Sequence, residues 1–161
     1  MLPLTTQRTR IKTKKPMNNP DTIIIHHSRT KDSGTMSWSA IRKYHVTTNK
    51  WGNVGYHYGI ERVGDSYETM LGRMPDVEGA HCAPHGYNRK SIGICLVGNF
   101  DEHFTPPEQI SKAVELIIYL MRSYEITVDR VLGHREIDTR RTCPGGLLSM
   151  HNLRNEIKRR L

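Results

Sequence analysis

Little in this chain of 161 residues can cross-link it or anchor it in lipid. Cysteine occurs three times, at Cys82, Cys95 and Cys143. An odd count excludes a fully paired disulfide framework and makes free or metal-bound thiols the expectation, with a Cys82 to Cys95 bridge left open. No uncharged apolar run approaches the ~18 residues of a membrane span, so no transmembrane segment is expected. Residues 1 to 20, MLPLTTQRTRIKTKKPMNNP, lack an apolar h-region with a cleavage site after it, so export by a secretory signal is not expected. They also lack any acid: Arg8, Arg10, Lys12, Lys14 and Lys15 supply five of the eight net positive charges. Aromatic residues are absent there too, which removes the stacking platforms of a single-strand nucleic-acid binder. Residues 1–20 therefore read as a flexible basic extension, with an anionic wall polymer or nucleic acid as a secondary partner. Repeats and low-complexity segments are missing.

What remains, residues 21–161, suits one folded domain. DTIIIHHS is a β-branched run that ends in two histidines, a buried strand delivering polar groups to its tip. Ser37 caps an expected helix from Trp38, with Ile41, Tyr44 and His45 on one face. VGYHYGIE alternates, placing Tyr56, Tyr58 and Ile60 on one face and His57 on the other, and Gly64-Asp65 turns it into SYETML as a hairpin. SIGICLVGNF, nearly all apolar, predicts a central strand in which Cys95 is buried and inert. Thr105-Pro106-Pro107-Glu108 reads as a capping box opening a helix, whose stripe runs Ile110, Ala113, Val114, Ile117, Ile118 and Met121. TVDRVLGH predicts a short strand leading to His134, and LLSMHNLRNEIKRRL a last helix with Leu153, Ile157 and Leu161 aligned. The expected class is α/β: a central mixed sheet flanked by helices.

The chemistry concentrates in GHREIDTRRTCPGG, where Cys143 follows His134 by nine residues. Two ligands do not make a zinc site, and catalytic zinc usually keeps three from the protein. The best-placed third is one of the pair His26 and His27 at the strand end. Alternation points only one of them to a given face, and spacing alone leaves the choice open.

The ordered set IIIHHS, VGYHYGIE, GAHCAPHGYNRKSIGICLVGNF, the long helix and GHREIDTRRTCPGG resembles the zinc-dependent N-acetylmuramoyl-L-alanine amidases. That family includes the amidase-type phage lysozymes and the peptidoglycan recognition proteins, and the likeness covers roughly residues 21 to 160. It implies a peptidoglycan recognition protein-like fold with one catalytic Zn2+ held by His26, His134 and Cys143. It also implies cleavage of the amide between N-acetylmuramic acid and L-alanine by water activated on the metal. Tyr56 matches the family's catalytic tyrosine, in a hydrogen-bonding role. Arg141 stands where amidase-type lysozymes carry a lysine; it can stabilise an oxyanion but does not readily release a proton. His81, Tyr87 and Asn88 match groove residues that bind substrate, with His85 a competitor for the histidine, while His57 is given a structural role. The resemblance implies a monomeric phage endolysin, made in the cytoplasm of a bacterial host and acting on wall peptidoglycan after membrane damage. A recognition module that binds without cleaving is the alternative, but replacement of the zinc cysteine is its usual mark and Cys143 is present. A regulator acting through the basic surface is a further one.

Overall fold

The computed structural model describes residues 19–31 and 37–161, so most of the expected basic extension lies outside the described residues. The strands are β1 (Thr22–His27), β2 (Tyr58–Val63), β3 (Ser66–Leu71), β4 (Ser91–Leu96) and β5 (Val131–Gly133); the helices are α1 (Trp38–Thr47), α2 (Tyr87–Lys90), α3 (Pro107–Tyr124) and α4 (Met150–Arg160). They form one five-stranded sheet in the order β3-β2-β4-β1-β5. β1 runs parallel to β4 and β5, and β2 parallel to β4; only the β2-β3 hairpin is antiparallel. The expected mixed sheet is thus observed, with SIGICLVGNF at its centre.

β1 and β4 are buried along their whole length, which is why both read as unbroken apolar runs. Ile23, Ile25, Ile92, Ile94 and Leu96 project to one face, where α3 and α4 cover them with Val114, Ile117, Leu120, Leu153 and Ile157. Each such side chain contributes about 1.5–3 kcal/mol by leaving water. The intervening residues project to the other face. There Cys95 and Val97 meet Trp38 and Ile41 of α1. All three cysteines are free, Cys95 fully buried among these apolar groups.

Four local expectations need correction. α3 starts at Pro107 and its cap position is Pro106, so Thr105 forms no capping box. The cause is Pro107, whose ring drives the preceding residue out of helical geometry and fixes the boundary there. β2 starts only at Tyr58: the His57 N–H still donates to the Gly93 carbonyl at 2.9 Å, but the Gly93 N–H goes to the His57 ring (2.9 Å to Nδ1), so the regular ladder does not extend further. Tyr56 consequently joins the α1 face, away from Tyr58 and Ile60. Tyr44 of α1 is 57% exposed, the sheet side being filled by Trp38 and Ile41. Leu161 lies past the end of α4 and is 55% exposed, while Leu153 and Ile157 are buried as expected. Ser37 does cap α1, accepting from the Ala40 N–H at 3.3 Å.

His57 has the structural role expected of it. Its Nε2 donates to the Val77 carbonyl at 2.8 Å and its Nδ1 accepts from Gly93, so both ring nitrogens are satisfied only when the imidazole is neutral. Burial pushes its pKa from 6.5 to about 4. Between those values the unfolded chain takes up a proton that the folded one refuses. The contribution of neutral His57 is therefore complete above about pH 6.5 and declines toward pH 4, at about 1.4 kcal/mol per unit. Buried His26 and His81 are shifted in the same direction. Urea unfolding of the metal-free protein should accordingly give a stability several kcal/mol lower at pH 4.5 than at pH 7.5; a flat profile would contradict these assignments.

Candidate metal centre and its cleft

Three elements converge where β1 ends. Alternation sends His26 to the α1 face and His27 to the α3 side, where its Nδ1 accepts from the Phe100 N–H at 3.1 Å. Ile25 pairs with Gly133, so His134 starts the next turn beside His26, ring centroids 4.7 Å apart. Cys143 then arrives on a loop, its Sγ 3.5 Å from His26 Nδ1. Donor atoms of His26, His134 and Cys143 lie within 4.8 Å of one another, the one such group of three among the described residues that could hold a metal ion. The donor set fits zinc: two imidazoles and one sulfur, with a position left open. His27, bonded on the other face, is no member of it.

The loop that carries Cys143 is braced from several sides. The Arg135 N–H donates to the Cys143 carbonyl at 2.7 Å, and its guanidinium donates to the carbonyls of Gly145 and Leu148. Asp101 accepts from the Thr142 hydroxyl and the Gly146 N–H, both at 2.9 Å. Gly145 adopts φ +113°, and a Cβ there would stand 2.4 Å from the Phe100 carbonyl carbon.

Electrostatically the centre is a set of neutral groups. Desolvation, then the neighbouring His81 and His134, hold His26 well below the ordinary histidine range; desolvation and Arg141 lower His134. Burial pushes the Cys143 thiol up to about 11 in the absence of metal. Tyr56 borders the centre, 5.2 Å from the His26 ring by centroids, and burial followed by the Cys95 and Cys143 sulfurs holds its phenol well above 10. It is a hydrogen-bond donor at neutral pH and no general base.

The cleft above these groups encloses about 550 Å3. Trp51, His45 and Tyr56 line it, and Arg29, Arg140 and Arg141 ring its mouth. Asp138, almost inaccessible, ties both loop arginines down, at 2.8 Å from Arg140 Nε and 3.4 Å from Arg141 Nε. Sequence reasoning missed Asp138, although its spacing of two and three residues from Arg140 and Arg141 is a local signal. It also missed Asp101, for which no local signal exists.

Of the expected groove residues, His81 borders the cleft but is buried, its Nδ1 3.0 Å from His26 Nε2. Asn88 accepts the N–H groups of His81 and Cys82, both at 2.8 Å, and borders an extension of the cleft shared with Arg140 and Arg141. Tyr87 is half-buried beneath Lys90, whose ammonium is 4.3 Å from the ring centre. His85 is exposed in the adjoining turn.

The chain is similar to known proteins over most of its length. Residues 16–146 match the family described as N-acetylmuramoyl-L-alanine amidase. The chain is 35% identical to the endolysin of Escherichia phage T7 over 149 residues, 89% of this chain and 92% of the relative. It is 36% identical to peptidoglycan-recognition protein LB of Drosophila melanogaster over 135 residues, 78% of this chain and 55% of the relative. Among solved structures, the endolysin amidase LysCS from Clostridium intestinale superposes with a TM-score of 0.74 at 29% identity, over 87% of this chain and 84% of that one. The expected peptidoglycan recognition protein-like fold is therefore the observed one.

The two glycines after Pro144 should not be equivalent. Gly145→Ala should lower stability in urea unfolding by about 1–3 kcal/mol, through strain at positive φ and overlap with Phe100. Gly146→Ala, whose added Cβ has nothing nearer than the Asp101 carboxylate at 3.8 Å, should stay within about 0.5 kcal/mol of the parent.

Proposed function

The chain belongs to the N-acetylmuramoyl-L-alanine amidase family, and we propose that it is a zinc-dependent peptidoglycan amidase of the phage endolysin type. Its substrate is the amide joining the lactyl group of N-acetylmuramic acid to L-alanine of the stem peptide. The observation that carries this reading is the open set of His26, His134 and Cys143 at the floor of a cleft. Zinc held by these three residues would supply a Lewis acid and would lower the pKa of a bound water towards ~7.

The chain's own groups supply the rest. Tyr56, kept protonated by burial, donates a hydrogen bond to the oxygen that gains charge in the transition state. Arg141, oriented by Asp138, places a fixed positive charge at the same edge of the cleft and cannot serve as the acid for the leaving amine. The loop wall at His81 and Asn88 takes the stem peptide along the cleft's extension, and Tyr87 supports that wall from behind. The arginine-ringed mouth favours acidic stems. A chain of this kind is made in the host cytoplasm and works on the wall; among the described residues no helix is long and apolar enough to cross a membrane. The basic segment of residues 1–20 adds attraction to anionic polymers.

Digestion of purified peptidoglycan tests the reading. New L-alanine amino termini without new reducing sugars should appear, vanish with a chelator and return with zinc. Cys143→Ser should abolish release while leaving the circular dichroism spectrum unchanged, and Tyr56→Phe should cost roughly 10²-fold in kcat. Wall binding with neither product would instead identify a recognition module.

Zinc binding itself should release protons in a defined number. At pH 7.5 His26 and His134 are already neutral, whereas the Cys143 thiol must ionise to become a ligand. Calorimetric titration in buffers of different ionisation enthalpy should therefore report at least one proton per zinc, from the thiol, rising towards two as a bound water of pKa ~7 also ionises. A value near zero would remove the thiolate from the site.

A further inference from the structure

We propose that His81 is a positioning residue for the metal centre, its Nδ1 accepting the proton of His26 Nε2 and so holding His26 in the tautomer whose Nδ1 is a bare ligand nitrogen. This inference rests on the zinc reading of the site.

A neutral imidazole carries one proton, and the nitrogen that binds a metal must be the other one. The geometry divides the His26 ring accordingly: Nδ1 faces Cys143 at 3.5 Å and Nε2 faces His81 Nδ1 at 3.0 Å. With the shared proton on His26 Nε2, His81 must carry its own on Nε2. That atom is buried and makes no hydrogen bond, and the backbone group that favours a proton on the ring is the Ser91 carbonyl. The bond to His26 is thus the one side-chain hydrogen bond of the His81 ring.

The surroundings hold that ring in place. Asn88 fixes the backbone on either side of the His81–Cys82 peptide. The ring lies against the sheet in space left by two glycines: a Cβ at Gly93 would come within 2.6 Å of its Cγ, and one at Gly79 within 2.5 Å of its Cδ2. His57, anchored at both nitrogens, meets it edge-on at 5.5 Å between centroids. The partner of a metal-binding histidine is commonly a carboxylate or a carbonyl, which raises ligand basicity. A neutral imidazole orients the ligand without adding negative charge, so zinc with one thiolate would keep a charge of about +1.

The test compares zinc affinity, by competition with a chromophoric chelator, for the parent chain, His81→Leu, His81→Gln, Gly93→Ala and Cys143→Ser, with metal-free unfolding midpoints for each. His81→Leu should bind zinc about 10- to 100-fold more weakly. His81→Gln, whose amide oxygen can accept the same proton, should recover most of that loss. Parent-like affinity in His81→Leu, or equal losses in the two variants, would overturn the positioning role. Should His81→Leu fail to fold without metal, Gly93→Ala carries the test, since it keeps every ligand and His81 but crowds the ring. A drop of tenfold or more supports the proposal and an unchanged affinity overturns it. Failure of the parent chain to bind zinc, or binding undiminished by Cys143→Ser, would bring down the zinc reading itself and this inference with it.

Discussion

Strand alternation at the end of β1 is the constraint from which the site follows. Ile23 and Ile25 must face α3 and α4 because that is where the large apolar core lies, and a one-residue slip would turn the whole set to the wrong side. With those two fixed, His26 can only emerge on the α1 face and His27 only on the other. Parallel pairing then does the rest, since β4 and β5 run in the same direction as β1 and end at the same edge. Open sheets with parallel strands place their ligands beyond the carboxyl ends of those strands, and here His26, His134 and the loop with Cys143 meet there.

The same geometry explains why so many histidines can be buried together. Charged imidazoles at these separations would repel one another and lose their hydration, so desolvation keeps His26, His57 and His81 neutral. Neutral rings can share protons in sequence, donor to acceptor, which charged rings cannot. The positive charges of the region are displaced to the mouth of the cleft, where Arg140 and Arg141 are exposed and held by Asp138. A buried, neutral floor beneath a cationic rim suits the proposed reaction, in which an anionic substrate would meet the metal through its neutral amide.

Legibility in the sequence followed the range of each interaction. β1, β4 and α3 were readable because their signals are local: an unbroken β-branched run, or a stripe at helical spacing. His134 and Cys143 share one segment, and the resemblance selected His26 over His27, a choice that alternation could pose but not decide. The pairing of His81 with His26 spans 55 residues and that of Asp101 with Gly146 spans 45, so neither leaves a trace in any window of sequence. The capping box failed for a different reason. Thr105 and Glu108 had the right spacing, but two successive prolines moved the boundary, a steric rule outweighing a hydrogen-bonding one. Tyr56 stands in a local motif, but the alternation that would group it with Tyr58 and Ile60 does not hold across the bend at His57.

That bend links the fold to the chemistry. By accepting the Gly93 N–H, His57 ends the β2 ladder at Tyr58, and the chain before it turns to bring Tyr56 over to the face that His26 occupies. The same bond holds His57 edge-on against His81, which in turn meets His26. Had the ladder continued, Tyr56 would lie beside Ile60 in the main core, remote from His26, His134 and Cys143. A buried histidine outside the candidate metal centre thus sets the position of the phenol at the cleft and the backing of His81 behind His26.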